Sequence, residues 1–123
     1  MNDDNLDKLT EFIQEHLKYK DGEQIRKYIK DHKKYGTIDY AIDENGNIIG
    51  IVRWNISEDG TVAMILDSAV KKEFRNRNIM KGFLERALKR FTKVTHLEYQ
   101  RGLYGDERIR RLPINRVLES TRY

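Results

Sequence analysis

The sequence predicts an α+β fold: a mixed sheet, built from an antiparallel three-stranded meander plus a parallel strand after a crossover helix, with helices packed on it. Three observations carry that expectation. Apolar residues recur at helical spacing before residue 36 and at every second position just after it. Close reversals at Asn45-Gly46 and at residues 57–60 separate the strand-like segments. A second helical pattern, the strongest in the chain, then stands between two strand-like segments.

Taken in order, Leu6, Leu9, Phe12, Ile13 and Leu17 share one face and predict a helix over about residues 4–19. Asp21 followed by Gln24 reads as an N-cap with its reciprocal capping-box partner. Ile25, Tyr28 and Ile29 then line a second helix that ends near Gly36. Ile38, Tyr40 and Ile42 alternate with Thr37, Asp39 and Ala41, the repeat of a strand with one buried face. Asn45-Gly46 tolerates positive φ and reverses the chain into residues 48–54. The third strand, residues 61–70, is apolar through Val62, Met64, Ile65 and Leu66, as in a central strand covered on both faces. Met80, Phe83, Leu84, Ala87, Leu88 and Phe91 form the strongest helical stripe, opposite Lys81, Arg86, Lys89 and Arg90. A fourth strand over residues 94–100 follows closely, which makes it a parallel neighbour of the third through a right-handed crossover.

The chain's 123 residues correspond to one domain, residues 1–123, with a modest core. Hydrophobic residues at 38% and charged residues at 36% fit a globular protein with a heavily solvated surface. No apolar run reaches membrane-spanning length, and no basic-then-apolar leader opens the sequence, so a cytoplasmic location is the expectation. Cysteine is absent, which excludes disulfides, thiolate metal sites and a cysteine nucleophile. His16, His32 and His96 lack metal-ligand spacing, and no metal site is expected.

Charge is divided unevenly. Residues 1–70 carry 9 Lys and Arg against 14 Asp and Glu, a net of −5, whereas residues 71–123 carry 15 against 6, a net of +9. The basic half begins at KKEFRNRN, between the third strand and the strongest helix. Free N–H groups and the helix dipole make such a junction an anion site. Arg75, Arg77 and Lys81 add full charges, so a diphosphate suits it better than a single carboxylate.

At these residues the sequence resembles the GNAT family of acetyl-CoA-dependent N-acetyltransferases. The family has a strand, a short spacer with an aromatic, then Arg or Gln, two residues, Gly, one residue, and Gly or Ala at a helix start. In ILDSAVKKEFRNRNIMKGFLERAL, Phe74 takes the aromatic position, Arg75 the Arg, Asn78 the first Gly and Met80 the Gly/Ala. The element order extends the resemblance over about residues 4–100. Asn78 is the milder departure, since asparagine tolerates left-handed backbone. Met80 either obstructs the diphosphate or turns into the core. The family's further helix, which carries an Asn and a Tyr near the thiol, has no identified counterpart.

The resemblance implies binding of acetyl-CoA and direct attack of an amine acceptor on the thioester, with no covalent enzyme intermediate. It places the diphosphate at Arg75, Asn76, Arg77, Asn78, Ile79, Met80 and Lys81, with pantetheine and the oxyanion donor at the backbone of Ser68, Ala69 and Val70. Asp67 is placed to take the ammonium proton, and Tyr99 and Tyr104 are the nearest donors for the departing thiolate. Ordinary roles compete with these: Asp67 as a strand-end cap, Tyr99 as a ring packed on the helix, and Trp54 as core. A homodimer that completes the short sheet is compatible with the pattern. The tail supports a second class of function. Arg101, Arg108, Arg110, Arg111 and Arg116 lie among Tyr99, Tyr104 and Tyr123, which suits a nucleic-acid or protein-binding adaptor; the plainer alternative is a last strand over residues 108–114.

Overall fold

The computed structural model describes residues 3–75, 78–100 and 109–119. Its elements are α1 (Asp3–His16), α2 (Gly22–Tyr35), β1 (Ile38–Ile42), β2 (Ile48–Ile56), β3 (Val62–Val70), α3 (Ile79–Arg90), β4 (His96–Gln100), β5 (Ile109–Pro113) and α4 (Ile114–Glu119), with one 3₁₀ turn at Lys72–Phe74. The strands lie in chain order across one sheet. All neighbours are antiparallel except β3 and β4, which are parallel through the α3 crossover, as expected. The last strand expected over residues 108–114 is β5.

Strand alternation assigns the two faces. Ile51 packs with Leu9, Phe12, Ile13, Ile25 and Ile29, which places α1 and α2 on one side. Val52 and Trp54 pack with Met80, Phe83 and Ala87, which places α3 on the other. Beside it, Leu84, Leu97 and Ile114 join α3, β4 and α4. Residues 48–54 are buried throughout, so β2 is the spine of the molecule. Each fully buried large side chain, such as Phe83, Leu9 or Ile29, contributes about 1.5–3 kcal/mol through burial.

Local chemistry sets the ends. The Asp21 carboxylate accepts N–H bonds from Glu23 and Gln24 and caps α2. Only half of the expected capping box forms, because the Gln24 side chain donates to the Tyr28 hydroxyl at 3.2 Å instead of returning to Asp21. Gly36 closes α2 in the left-handed conformation, φ 70°. α1 stops at His16, short of residue 19: Gln14 Nε2 donates to the Lys20 carbonyl at 3.0 Å, and the chain turns to bring Tyr19 onto the sheet. The register shift between Ala41 and Ile42 turns Ile42 out to 53% exposure, against the expected inward alternation. β3 is central in the sheet but not covered throughout, with Leu66 at 39% exposure and Ser68 exposed.

The β2–β3 turn is organised by Asp59, which accepts from the Ser57 hydroxyl and from the N–H and hydroxyl of Thr61. These bonds, led by those from the Thr61 and Ser57 hydroxyls, push its carboxyl from the ordinary 3.8 down to about 2. A depressed carboxyl favours the folded state fully above its unfolded value and loses that contribution as pH falls through the folded value. Asp59→Asn should therefore flatten the loss of thermal stability between pH 4 and pH 2, measured as melting temperature against pH. An unchanged slope would remove the turn from the acid response.

Candidate functional site

The site begins where the sheet comes apart. β3 and β4 pair only at Val62–His96, Ala63–Leu97 and Met64–Glu98; beyond Met64, among the described residues, β3 pairs on its β2 side alone. The cause sits next in the chain. Arg53 faces Asp67 while Trp54 faces Ile65, so Leu66 is an extra residue on β3 and bulges the strand where the pairing ends. The Lys71 N–H donates to the Ile49 carbonyl, so strand alternation turns the N–H groups of Ser68 and Val70 the other way, to the open edge. Ala69 faces β2 and packs with the α1–α2 cluster.

The loop that follows leads to the N-terminus of α3. Asn78 adopts φ 60° and ψ 25°, so asparagine serves here in the left-handed backbone that glycine ordinarily takes. Its side chain does not cap the helix, and the first helical bond is Gly82 N–H to Asn78 carbonyl at 3.0 Å. The N–H groups of Ile79, Met80 and Lys81 are therefore the orphan donors of the first turn. A β-carbon at Gly50 would come within 3.2 Å of the Ile79 side chain, so bare backbone in β2 admits this end of the helix. Met80 turns into the core with Val52, Trp54 and Phe83 and is 8% exposed, which decides between its two expected placements. Arg75 is exposed, and its Nε donates to the Val70 carbonyl at 3.1 Å, holding a guanidinium at the open end of β3. Lys81 is half-buried. Asn76, Arg77 and Tyr104 lie outside the described residues.

On the α1–α2 face, Asp67 is ion-paired to Arg53, its direct cross-strand partner. Arg53 also donates to the Tyr19 hydroxyl at 3.3 Å, and its guanidinium carbon lies 5.3 Å and 5.0 Å from the ring centres of Tyr19 and Tyr28. Two rings and a carboxylate thus enclose a buried cation. Across the break on the same face, Glu98, buried in β4, pairs with its own cross-strand partner Arg111 in β5, with an Nε–Oε1 distance of 2.8 Å. The opening is bracketed by one arginine–carboxylate pair in each half-sheet. Tyr99 points to the opposite face, its ring packed with the α3–α4 cluster.

Periodicity reasoning missed Arg53, Tyr19, Tyr28 and Glu98. One signal for Arg53 was available: it shares parity with Ile49 and Ile51, and a cation on a buried parity requires a neighbouring carboxylate. The partner could not be named without the register.

The pattern of the acetyltransferase (GNAT) family matches residues 4–103. The chain belongs to this family. The fold agrees with a GNAT-family acetyltransferase of Staphylococcus aureus Mu50, at TM-score 0.60 and 19% identity, over 81% of this chain and 70% of that one. It agrees with a GNAT-family N-acetyltransferase of Escherichia coli in complex with CoA, at TM-score 0.53 and 14% identity, over 81% of this chain and 59% of that one. It agrees also with glucosamine-6-phosphate N-acetyltransferase of Arabidopsis thaliana, at TM-score 0.55 and 15% identity, over 80% and 78%. No curated protein sequence matches significantly. The chain thus spans about three fifths of the length of the E. coli protein.

Two substitutions test this geometry. Met80→Ala should destabilise the protein by about 2–5 kcal/mol in a denaturant melt, as for other buried truncations. A change within error would place the side chain outside the core. Asp67→Ala strands a buried guanidinium and should cost about 3–5 kcal/mol, whereas Arg53→Met with Asp67→Leu should recover most of that loss. Equal losses in both variants would mean that packing, not charge pairing, dominates.

Proposed function

We propose that this protein is an acetyl-CoA-dependent N-acetyltransferase acting on an amine acceptor in the cytoplasm, with residues 1–123 acting as one domain. The observation that supports it most is continuity: an open β3 edge with outward N–H groups at Ser68 and Val70 runs directly into a loop and an uncapped helix N-terminus. These are the surfaces that an amide-bearing tether and a diphosphate need. The Met80 side chain lies in the core and leaves the approach to the first-turn N–H groups clear. When bound, acetyl-CoA supplies an activated acyl group as a thioester.

The chain's own residues then divide the work. The N–H groups of Ile79, Met80 and Lys81, with Arg75, Arg77 and Lys81 charges and the Asn76–Asn78 backbone, hold the diphosphate. Ser68, Ala69 and Val70 carry the tether, with outward N–H groups as fixed donors for developing negative charge. Asp67 and Glu98 draw the acceptor's ammonium toward the opening. Each carboxylate is already engaged by an arginine, so an intervening water suits the proton transfer better than direct contact. Tyr99, its ring packed with the α3–α4 cluster, takes the ordinary packing role, and Tyr104 is the remaining assigned donor to the leaving thiolate.

A ligand bound only by the folded state stabilises it by about 2.7 kcal/mol at a hundredfold excess over Kd. Acetyl-CoA and CoA should each raise Tm by several degrees, and Arg75→Ala with Arg77→Ala should weaken binding in calorimetric titration while the domain stays folded. No shift from either ligand at millimolar concentration would sink the proposal. Unchanged affinity in the folded double variant would move the diphosphate elsewhere.

A further inference from the structure

A cavity of 480 Å³ lies where α2 and α3 both end, at the Asn55 end of β2, whereas the β3–α3 loop lies beyond the other end of that strand. Asp31, His32, Tyr35, Thr37, Asn55 and Phe91 are in its wall. Its polarity follows from its chemistry. The Thr37 hydroxyl lies 2.7 Å from His32 Nδ1 and 3.3 Å from the His32 carbonyl, which also accepts the Thr37 N–H at 2.8 Å, so the ring is pinned at Nδ1. With Nδ1 engaged by Thr37, the neutral ring has Nε2 left for other partners. Burial first, and then the charge of Arg53 from β2, hold the imidazolium below its ordinary 6.5, with Asp31 alone pulling upward.

The cavity is therefore lined by a carboxylate, an imidazole held below its ordinary pKa and an amide on two aromatic rings, with no lysine or arginine among the described lining residues. Two helix C-termini converge there, and each end of that kind favours positive charge. The rings take cations already: Lys34 Nζ lies 5.7 Å from the Tyr35 ring centre, and the Arg90 guanidinium carbon 5.9 Å from that of Phe91. We propose that this cavity binds a small primary alkylammonium ligand, held by the Asp31 carboxylate and the Asn55 amide beside His32, over the faces of Tyr35 and Phe91. The site is separate from the sheet opening and does not depend on acetyl transfer.

The probe is n-butylammonium chloride, with n-butanol as the neutral isostere, titrated at constant ionic strength and pH 7.5 into isotopically labelled protein without acyl-CoA and followed by NMR. The amine should give saturable shifts centred on His32, Tyr35, Asn55 and Phe91. It should also move the titration of His32 to lower pH, because a bound cation opposes imidazolium formation, and n-butanol should not. Binding should fall as pH drops through the His32 titration, which lies below 6.5. Asp31→Asn, an exposed change, should weaken affinity about fivefold or more through loss of the counter-charge. Equal shifts with n-butanol, shifts centred on Asp67 and Glu98, or unchanged affinity in Asp31→Asn would each overturn the proposal.

Discussion

The parting of β3 from β4 after Met64 is the constraint on which the rest of the molecule depends. Parallel strands held together by a crossover helix normally continue side by side, and here one extra residue prevents it. With Leu66 accommodated as a bulge, β3 follows β2 while β4 follows β5, so one sheet behaves as two half-sheets hinged at three residue pairs. β3 leaves a polar edge there, which a closed sheet would have hidden. A fully paired strand in its place would be more regular and would offer no opening.

Holding the halves in place falls to side chains. Each half-sheet carries a cross-strand arginine–carboxylate pair on the α1–α2 face, one on either side of the gap. The Arg53–Asp67 pair is buried and contributes little net stability, since desolvation offsets most of the attraction, and the Arg111 end of the other pair is exposed, where such pairs contribute little as well. Their positional effect is larger. Arg53 ties Asp67 in β3 to Tyr19 in the α1–α2 connection and Tyr28 in α2, so the layer above the opening is fastened to the strand that forms it. On the other face α3 clamps β2 through Met80, Phe83 and Ala87, which fixes its N-terminus beside the end of β3.

The sequence made the element order, the two reversals and the crossover legible because each depends on local periodicity or on residues suited to positive φ. Asn78 belongs with these: it stands where the family motif has glycine, and asparagine is a residue that tolerates the left-handed backbone found there. What depended on register was not readable. Gln24 forms a sound capping box on paper, and only the nearby Tyr28 hydroxyl diverts it. Ile42 continues a faultless alternation, but a shift in its partner strand turns it outward. Met80 could face either way until the helix was set against Val52 and Trp54. Asp67 looked available as a base because nothing local betrays a buried arginine fourteen positions earlier.

Trp54 is the chain's single tryptophan. It sits 2% exposed under α3, and its Nε1 has no hydrogen-bond partner among the described residues. An indole shut away from water and without an acceptor emits at short wavelength, because nothing polar relaxes around its excited state. Since the same ring packs against Phe83 and Met80, its emission colour registers the seating of α3 on β2 and little else. The fold thus carries a built-in optical gauge of the contact that positions the helix N-terminus.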